Sequence, residues 1–300
     1  MRKKGYYTEK KHIPVMLNEV TSALNINPNG IYLDGTLGKG GHTSSIIKNL
    51  SQDGLMIGID RDLEAIQFCE ELFKDIKIPH SFFHDSYHNI NHILNKLNIK
   101  EVDGIILDLG LSSVQLSNPK RGFSYNLNAD LDMRFDLKQK LKASDIINKL
   151  NHQELANIIF KYGEEKRSRS IAKSIEKLRP LKTVFDLVEA VRRVTPPNHR
   201  KKSLSRVFQA IRIKVNEELK KLDFFLLSFI KRLKLGGRII IISFHSLEDR
   251  LVKHHFKNIA KNSQLRIQTK KPLLASRDEI LNNKRSRSAK LRIAEKIINA

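Results

Sequence analysis

Apolar runs of strand length alternate with helical patterning over residues 31–108. The runs 31–34 (IYLD), 55–60 (LMIGID) and 102–108 (VDGIILD) each close in an acid, and 78–84 is a further candidate strand. Between and after them, 43–50, 63–74 and 87–97 carry apolar positions at helical spacing. Strands alternating with helices in this way predict βαβ units and a parallel sheet. The alternation then stops. Residues 143–150, 152–162, 168–178 and 184–194 are helical in pattern, with Pro180 and Pro196–Pro197 as punctuation and no convincing strand between 117 and 206. A long helical run over 204–234 follows. Leu235-Gly236-Gly237 ends it and opens 238–244 (RIIIISF), whose four isoleucines predict a buried strand. Residues 265–269 and 289–294 are candidate strands that complete the sheet. The organisation expected is an α/β domain of residues 1–116 and 207–300, interrupted by an all-helical subdomain over 117–206. Inserted material beside an α/β crevice commonly serves substrate recognition.

Composition narrows the class without changing this picture. Three hundred residues at 40% hydrophobic content can bury a sizeable core. The single cysteine, Cys69, excludes a disulfide framework and a cysteine-based zinc site. The basic first residues lack the apolar stretch of a signal peptide, and no apolar run has membrane-spanning length. These features predict a soluble, cytoplasmic protein with no membrane partner.

Charge changes the picture more. The net charge is +23, yet residues 1–160 hold 19 basic and 19 acidic side chains. The whole excess lies beyond residue 160. Drift towards lysine in an AT-rich genome would not leave one half neutral, so the asymmetry points to a polyanion, most simply nucleic acid.

The candidate chemistry begins at 31–42, IYLDGTLGKGGH. A strand, four glycines within seven residues and a helical start form the usual nucleotide-cofactor crevice of an α/β sheet. Asp60 closes the second strand, where an acid grips a ribose. That feature serves both NAD and S-adenosylmethionine (SAM). The loop departs from G-x-G-x-x-G and places Asp34 before its first glycine, which suits an ammonium and opposes a pyrophosphate. Asp108 adds a further acid near the crevice. The balance favours SAM, with NAD as the alternative. His80, His84, His88 and His92 recur every fourth residue, but they straddle a strand–helix boundary and no metal is expected there.

Eleven ordered blocks carry a family resemblance: His12–Met16, Asp34–His42, Asp60-Arg-Asp62, Asp108–Gln115, Arg121–Tyr125, Leu131-Asp-Met-Arg134, Arg206–Arg212, Val215-Asn-Glu-Glu218, Gly236-Gly-Arg238, Ser243–Arg250 and Ser286–Arg292. The set closely resembles the bacterial ribosomal RNA small subunit methyltransferase H family. The resemblance implies a class I SAM-dependent methyltransferase with a Rossmann-like sheet and an inserted helical domain. It implies N4-methylation of a cytidine in the decoding region of 16S rRNA, within the assembled small ribosomal subunit. It also implies cofactor contacts at Gly40, Gly41, His42, Asp60, Tyr87, Asp108 and Gln115. Tyr87 stands where most members carry Phe.

Catalysis is less legible. The motif of prolines and an aromatic that many amino-methyltransferases place after the fourth strand is missing from Asp108-Leu-Gly-Leu-Ser-Ser. Asp108 is the first candidate to accept from the amine, followed by Ser112, Ser113, Ser243 and His245, with Ser246 beside them and Phe244 as a stacking surface. Arg206, Arg212, Arg238, Arg250, Arg285, Arg287 and Arg292, with Lys253 and Lys290, are the candidate phosphate contacts. Asn283-Lys284 stands where the family pattern has Asn-Pro, and Ala275 replaces an expected proline. Methylation of DNA or protein, a non-catalytic RNA-binding assembly factor and a nicotinamide-dependent reductase remain as competing readings.

Overall fold

The computed structural model describes residues 13–112, 115–116 and 118–298; His12 and Ser113 lie outside them. Five strands, β1 (Ile31–Asp34), β2 (Leu55–Asp60), β3 (His80–His84), β4 (Val102–Asp108) and β5 (Leu233–Ser243), run parallel in the spatial order 3-2-1-4-5. The sheet continues through β8 (Lys290–Lys296), antiparallel to β5, and ends at β6 (Leu265–Ile267); β7 (Leu273–Leu274) also pairs with β8. This is the Rossmann-like, mostly parallel sheet expected.

The isoleucine run shows why β5 lies inside. Ile239 and Ile241 pack with α4 (Ile90–Lys96), α10 (Glu218–Ser228) and α11 (Ser246–Lys261). Ile240 and Ile242 pack on the other face with α1 (Leu17–Leu24), α2 (Gly41–Ile47) and α3 (Leu63–Phe73). A strand covered on both faces needs no polar alternation, and each isoleucine buried contributes about 1.5–3 kcal/mol.

Between β4 and β5 the chain builds α5 (Ala143–Lys149), α6 (His152–Gly163), α7 (Ser168–Leu178), α8 (Val184–Arg193) and α9 (Arg200–Asn216). Their apolar stripes close around a separate core that includes Ile159, Ile175, Val191 and Ile211. Asn151 with Glu154, and Thr183 with Asp186, form reciprocal capping boxes that fix where α6 and α8 begin. Among the described residues of 118–206, the β-pairing is one isolated bridge, Asp130 to Thr183. Helix α9 runs unbroken through position 206, so the last segment of the insert and the return to the sheet share one rigid element.

Two features differ from the sequence reading. Helix α1 carries Val20 and Leu24 into the core, but it is short and starts from Met16 in the left-handed region without a polar side-chain cap, so it leaves no start signal. Gly236-Gly237 lies within β5 rather than before it. The register against β4 shifts there, between Val102 and Gly104, as at a bulge. No helix among the described residues is long and apolar enough to cross a membrane.

Candidate cofactor and catalytic site

Strand order reverses around β1, with β2 on one side and β4 on the other, and ligands in open α/β sheets bind at such a switch point. The glycine loop spans it. Gly35 N–H donates to the carbonyl of Ile106 and Leu37 N–H to that of Ile59, both at 3.0 Å, so the loop is stitched to β4 and β2. Gly40 takes φ 69° as α2 begins, a conformation glycine adopts without strain. At Gly35 a Cβ would collide with Leu107 and stand 2.8 Å from Cβ of Tyr87. The loop therefore lies flat against the strand ends and leaves a cavity above them. With its open mouth the cavity holds about 1020 Å³. His42, Asp60, Tyr87, Asp108, Gln115 and Gly41 all line it. Gly40 stands behind, supplying the turn.

Acids dominate the cavity floor. Asp60 accepts from Gly38 N–H and Asp62 N–H, both at 2.8 Å. Burial nevertheless pushes its carboxyl up to about 6, and the neighbouring Asp62 and Asp34 add to the rise. Asp34 has a different role from the one expected. It is buried behind the loop, accepting from Thr36 N–H at 3.0 Å and Thr43 Oγ1 at 2.9 Å, and it does not line the cavity. Of Asp34 and Asp108, the one that lines the cavity is Asp108. Its Oδ2 lies 3.7 Å from Nε2 of His42, while its Oδ1 and both ring nitrogens of His42 are buried without a hydrogen-bond partner. Tyr87 is buried edge-on to Phe225 at 5.6 Å, and burial raises its hydroxyl pKa.

Six further wall residues carry charge or an aromatic face: Lys39, Arg61, Phe135, Glu218, Glu248 and Arg285. Arg61 stacks over Phe135, 5.4 Å from the ring centroid, and donates to the Asn216 carbonyl at 3.0 Å. Burial pushes the Glu248 carboxyl up, but His245, Arg212 and the Phe244 N–H together hold it below the usual carboxylate range. Arg61, Glu218 and Glu248 stand within the family blocks; nothing in the local spacing marks Phe135.

Ser243 and His245 are engaged away from the cavity. Ser243 is buried within β5, where its hydroxyl donates to the Lys290 carbonyl at 3.3 Å. His245 caps α11, its Nδ1 accepting from Glu248 N–H at 3.4 Å and its Nε2 3.2 Å from the Glu248 carboxylate. Neither side chain lines the cavity. Ser246 is bonded to Glu164 at 2.6 Å, and Ser112 does line the cavity. Of the regularly spaced histidines, His80 and His84 lie on β3, bonded to the carbonyls of Ile78 and Arg61. His88 lies on the 3-10 turn beyond, and His92 in α4.

The expected phosphate contacts separate into groups. Arg212 grips Glu218 through two bonds at 2.8 and 2.9 Å, and Arg292 grips Asp249 at 2.7 Å; both side chains are mostly buried. They are internal ion pairs, a correction to the sequence reading. Arg238 lies at the far end of the sheet from Asp108, bonded to Glu295 and to the C-terminal turn of α1 at Ala23. It too is structural. Arg285 lines the cavity, where burial lowers its pKa against the pull of Asp108. Arg206 and Arg250 pair with Glu165 and Glu164 at the end of α6 but keep exposed surface. Arg287 is exposed.

The unpartnered His42 and Asp108 atoms show a wall built for a polar ligand, since buried polar groups are otherwise satisfied. Acids at Asp60 and Asp108 suit a ribose and a cationic group, and would repel a pyrophosphate. A family model described as the MraW methylase family matches residues 9–297. Curated relatives named Ribosomal RNA small subunit methyltransferase H include those of Caldicellulosiruptor saccharolyticus (47% identical), Halothermothrix orenii (44%) and Thermosipho africanus (46%). In each case the alignment covers 96% of this chain and 99% of the relative.

Proposed function

The chain belongs to the MraW methylase family, and from that premise we propose that it methylates N4 of one cytidine in the decoding region of 16S rRNA, using SAM, within the assembled small subunit. The observation that carries the reading is the cavity at the ends of β1, β2 and β4, with Asp60 and Asp108 presenting acids across it. SAM supplies an electrophilic methyl group on a positively charged sulfur. Asp60 would hold the ribose hydroxyls, with Gly38–His42 and Tyr87 forming the walls around the nucleoside and methionine parts. Support for an RNA acceptor comes from the basic second half of the chain and from the relatives' names. The cytidine and its N4 atom rest on the family resemblance.

The acceptor amine is a weak nucleophile because its lone pair is delocalised into the ring. Orientation and an acceptor for the emerging charge are the help a protein can give. Asp108 has an oxygen available for that hydrogen bond, and it takes the amine proton as the nitrogen gains its methyl group. Leu109, Leu111, Leu222 and Phe135 keep the place poor in water.

Mass spectrometry of 16S rRNA from cells with and without the gene tests the reading. An N4-methylated cytidine present only with the gene is expected. An unchanged set of cytidines would overturn the proposal. Calorimetry separates the cofactors, because binding of NAD but not SAM would return the cavity to the reductase reading.

A further inference from the structure

Asp62 stands where the cofactor wall meets the loop that follows β4. Its N–H donates to Oδ1 of Asp60 at 2.8 Å. Its own Oδ1 caps α3 by accepting from Glu64 N–H at 3.2 Å. The second oxygen, Oδ2, accepts from Nε2 of Gln115 at 2.8 Å and lies 3.2 Å from Nη2 of Arg121. Both partners reach onward to the cavity. Gln115 Oε1 accepts from the N–H of Ser112 at 3.1 Å, and Arg121 Nη2 donates to the carbonyls of Arg134 and Phe135 at 3.0 and 2.9 Å. Ser112 and Phe135 line the cavity together with the glycine loop. Asp62, Gln115 and Arg121 are 6%, 7% and 4% exposed.

A charged network this deep is an inefficient source of stability, because desolvation offsets the Coulomb gain. Its distinctive effect is to fix geometry. We propose that Asp62 is a positioning residue for methyl transfer: through Gln115 and Arg121 it sets Ser112 and Phe135 over the cavity into which Asp108 opens. Gln115, expected to touch the cofactor, lines the cavity and also gives this brace one N–H and one oxygen lone pair. The inference rests on the methyltransferase reading. It divides the labour, with Asp60 holding the cofactor and Asp62 holding the acceptor side.

The test compares Arg121→Lys, Gln115→Met and Asp62→Asn with the unaltered protein. SAM affinity is read by calorimetry, and kcat and KM by methyl transfer to small subunits from cells lacking the gene. Asp62→Asn keeps an acceptor for the α3 cap, and Gln115→Met leaves no buried charge unpaired, so the set includes variants that spare the fold. For Asp62→Asn and Arg121→Lys the dissociation constant for SAM should stay within about threefold while kcat falls roughly tenfold to a hundredfold, as for a misplaced reactant. Gln115 itself lines the cavity, so Gln115→Met is read by kcat alone. Arg121→Lys, which keeps the charge, should lose least. A SAM affinity that falls in step with kcat would overturn the proposal, as would an unchanged kcat. If the unaltered protein itself transfers no methyl group, the methyltransferase reading fails before any variant is compared.

Discussion

Asp108 Oδ2 and His42 Nε2 face each other across 3.7 Å at the end of β4, while the other Asp108 oxygen and both ring nitrogens of His42 lack a hydrogen-bond partner. An unsatisfied buried polar group costs about 1–3 kcal/mol. Several beside one another mark a place where stability is given up for a ligand. Asp108→Asn keeps the shape and removes the charge and the proton acceptor. Methyl transfer to small subunits should fall by roughly 10²–10⁴, the usual range for loss of a general base. The thermal midpoint should be unchanged or higher. Activity within a few-fold of the original would remove Asp108 from the chemistry.

Asp60 gives a pH dependence of definite sign. Its ionised form is the one that accepts ribose hydroxyls, and burial pushes its carboxyl up to about 6. SAM affinity should be level above neutrality and fall as pH drops through 6, approaching about tenfold per pH unit. Calorimetry across this range checks it, and Asp60→Asn should bind weakly with no such slope. In the ligand-free protein the same shift acts on stability. The folded state holds this proton more tightly than the unfolded chain, so stability falls as pH rises from 3.8 towards 6.

Arg292 and Arg287 stand five residues apart and should behave oppositely. Arg292→Met leaves Asp249 mostly buried, with Lys290 Nζ 3.7 Å away as its remaining cation, and should destabilise the fold by about 3 kcal/mol. Affinity of the folded fraction for small subunits should not change. Arg287→Ala should leave the melting temperature alone and weaken subunit binding, with a salt dependence shallower by about one unit if it meets a phosphate. Melting curves and binding titrations at two salt concentrations separate the roles.

Gly35→Ala tests the close approach of the loop to the strands. The new methyl group meets Leu107 and Tyr87, both buried, and neither can swing into solvent. Overpacking of this kind costs about 1–3 kcal/mol. Chemical denaturation should show the loss, and SAM affinity should fall because the loop must rise off β4.

The sheet was legible because β1, β2 and β4 each announce themselves twice, by an apolar run and by the acid that closes it. The helical insert was legible from its amphipathic periodicity alone. Partner choice among charges was not. Arg212 and Arg292 have the same local appearance as Arg287, and only the fold brings Glu218 and Asp249 to them. Asp34 shows the same gap at the site. Its place before the glycines is plain in the sequence, but whether its carboxylate faces a ligand or Thr43 depends on the turn. Ser243 and His245 sit at a strand end that opens on the crevice, yet one side chain is committed to β8 and the other to a helix cap.

The antiparallel strand β8 pairs along β5, although Lys290–Lys296 is made after every described residue of the cavity wall. During synthesis every described residue that lines the cavity, Arg285 apart, precedes the helix α11 or lies within it. The flank of β5 stays uncovered until Leu291 and Ile293 arrive. Completion of this half of the sheet therefore waits on β8. A nascent chain therefore carries its binding groups before it has the strand that covers the flank of β5.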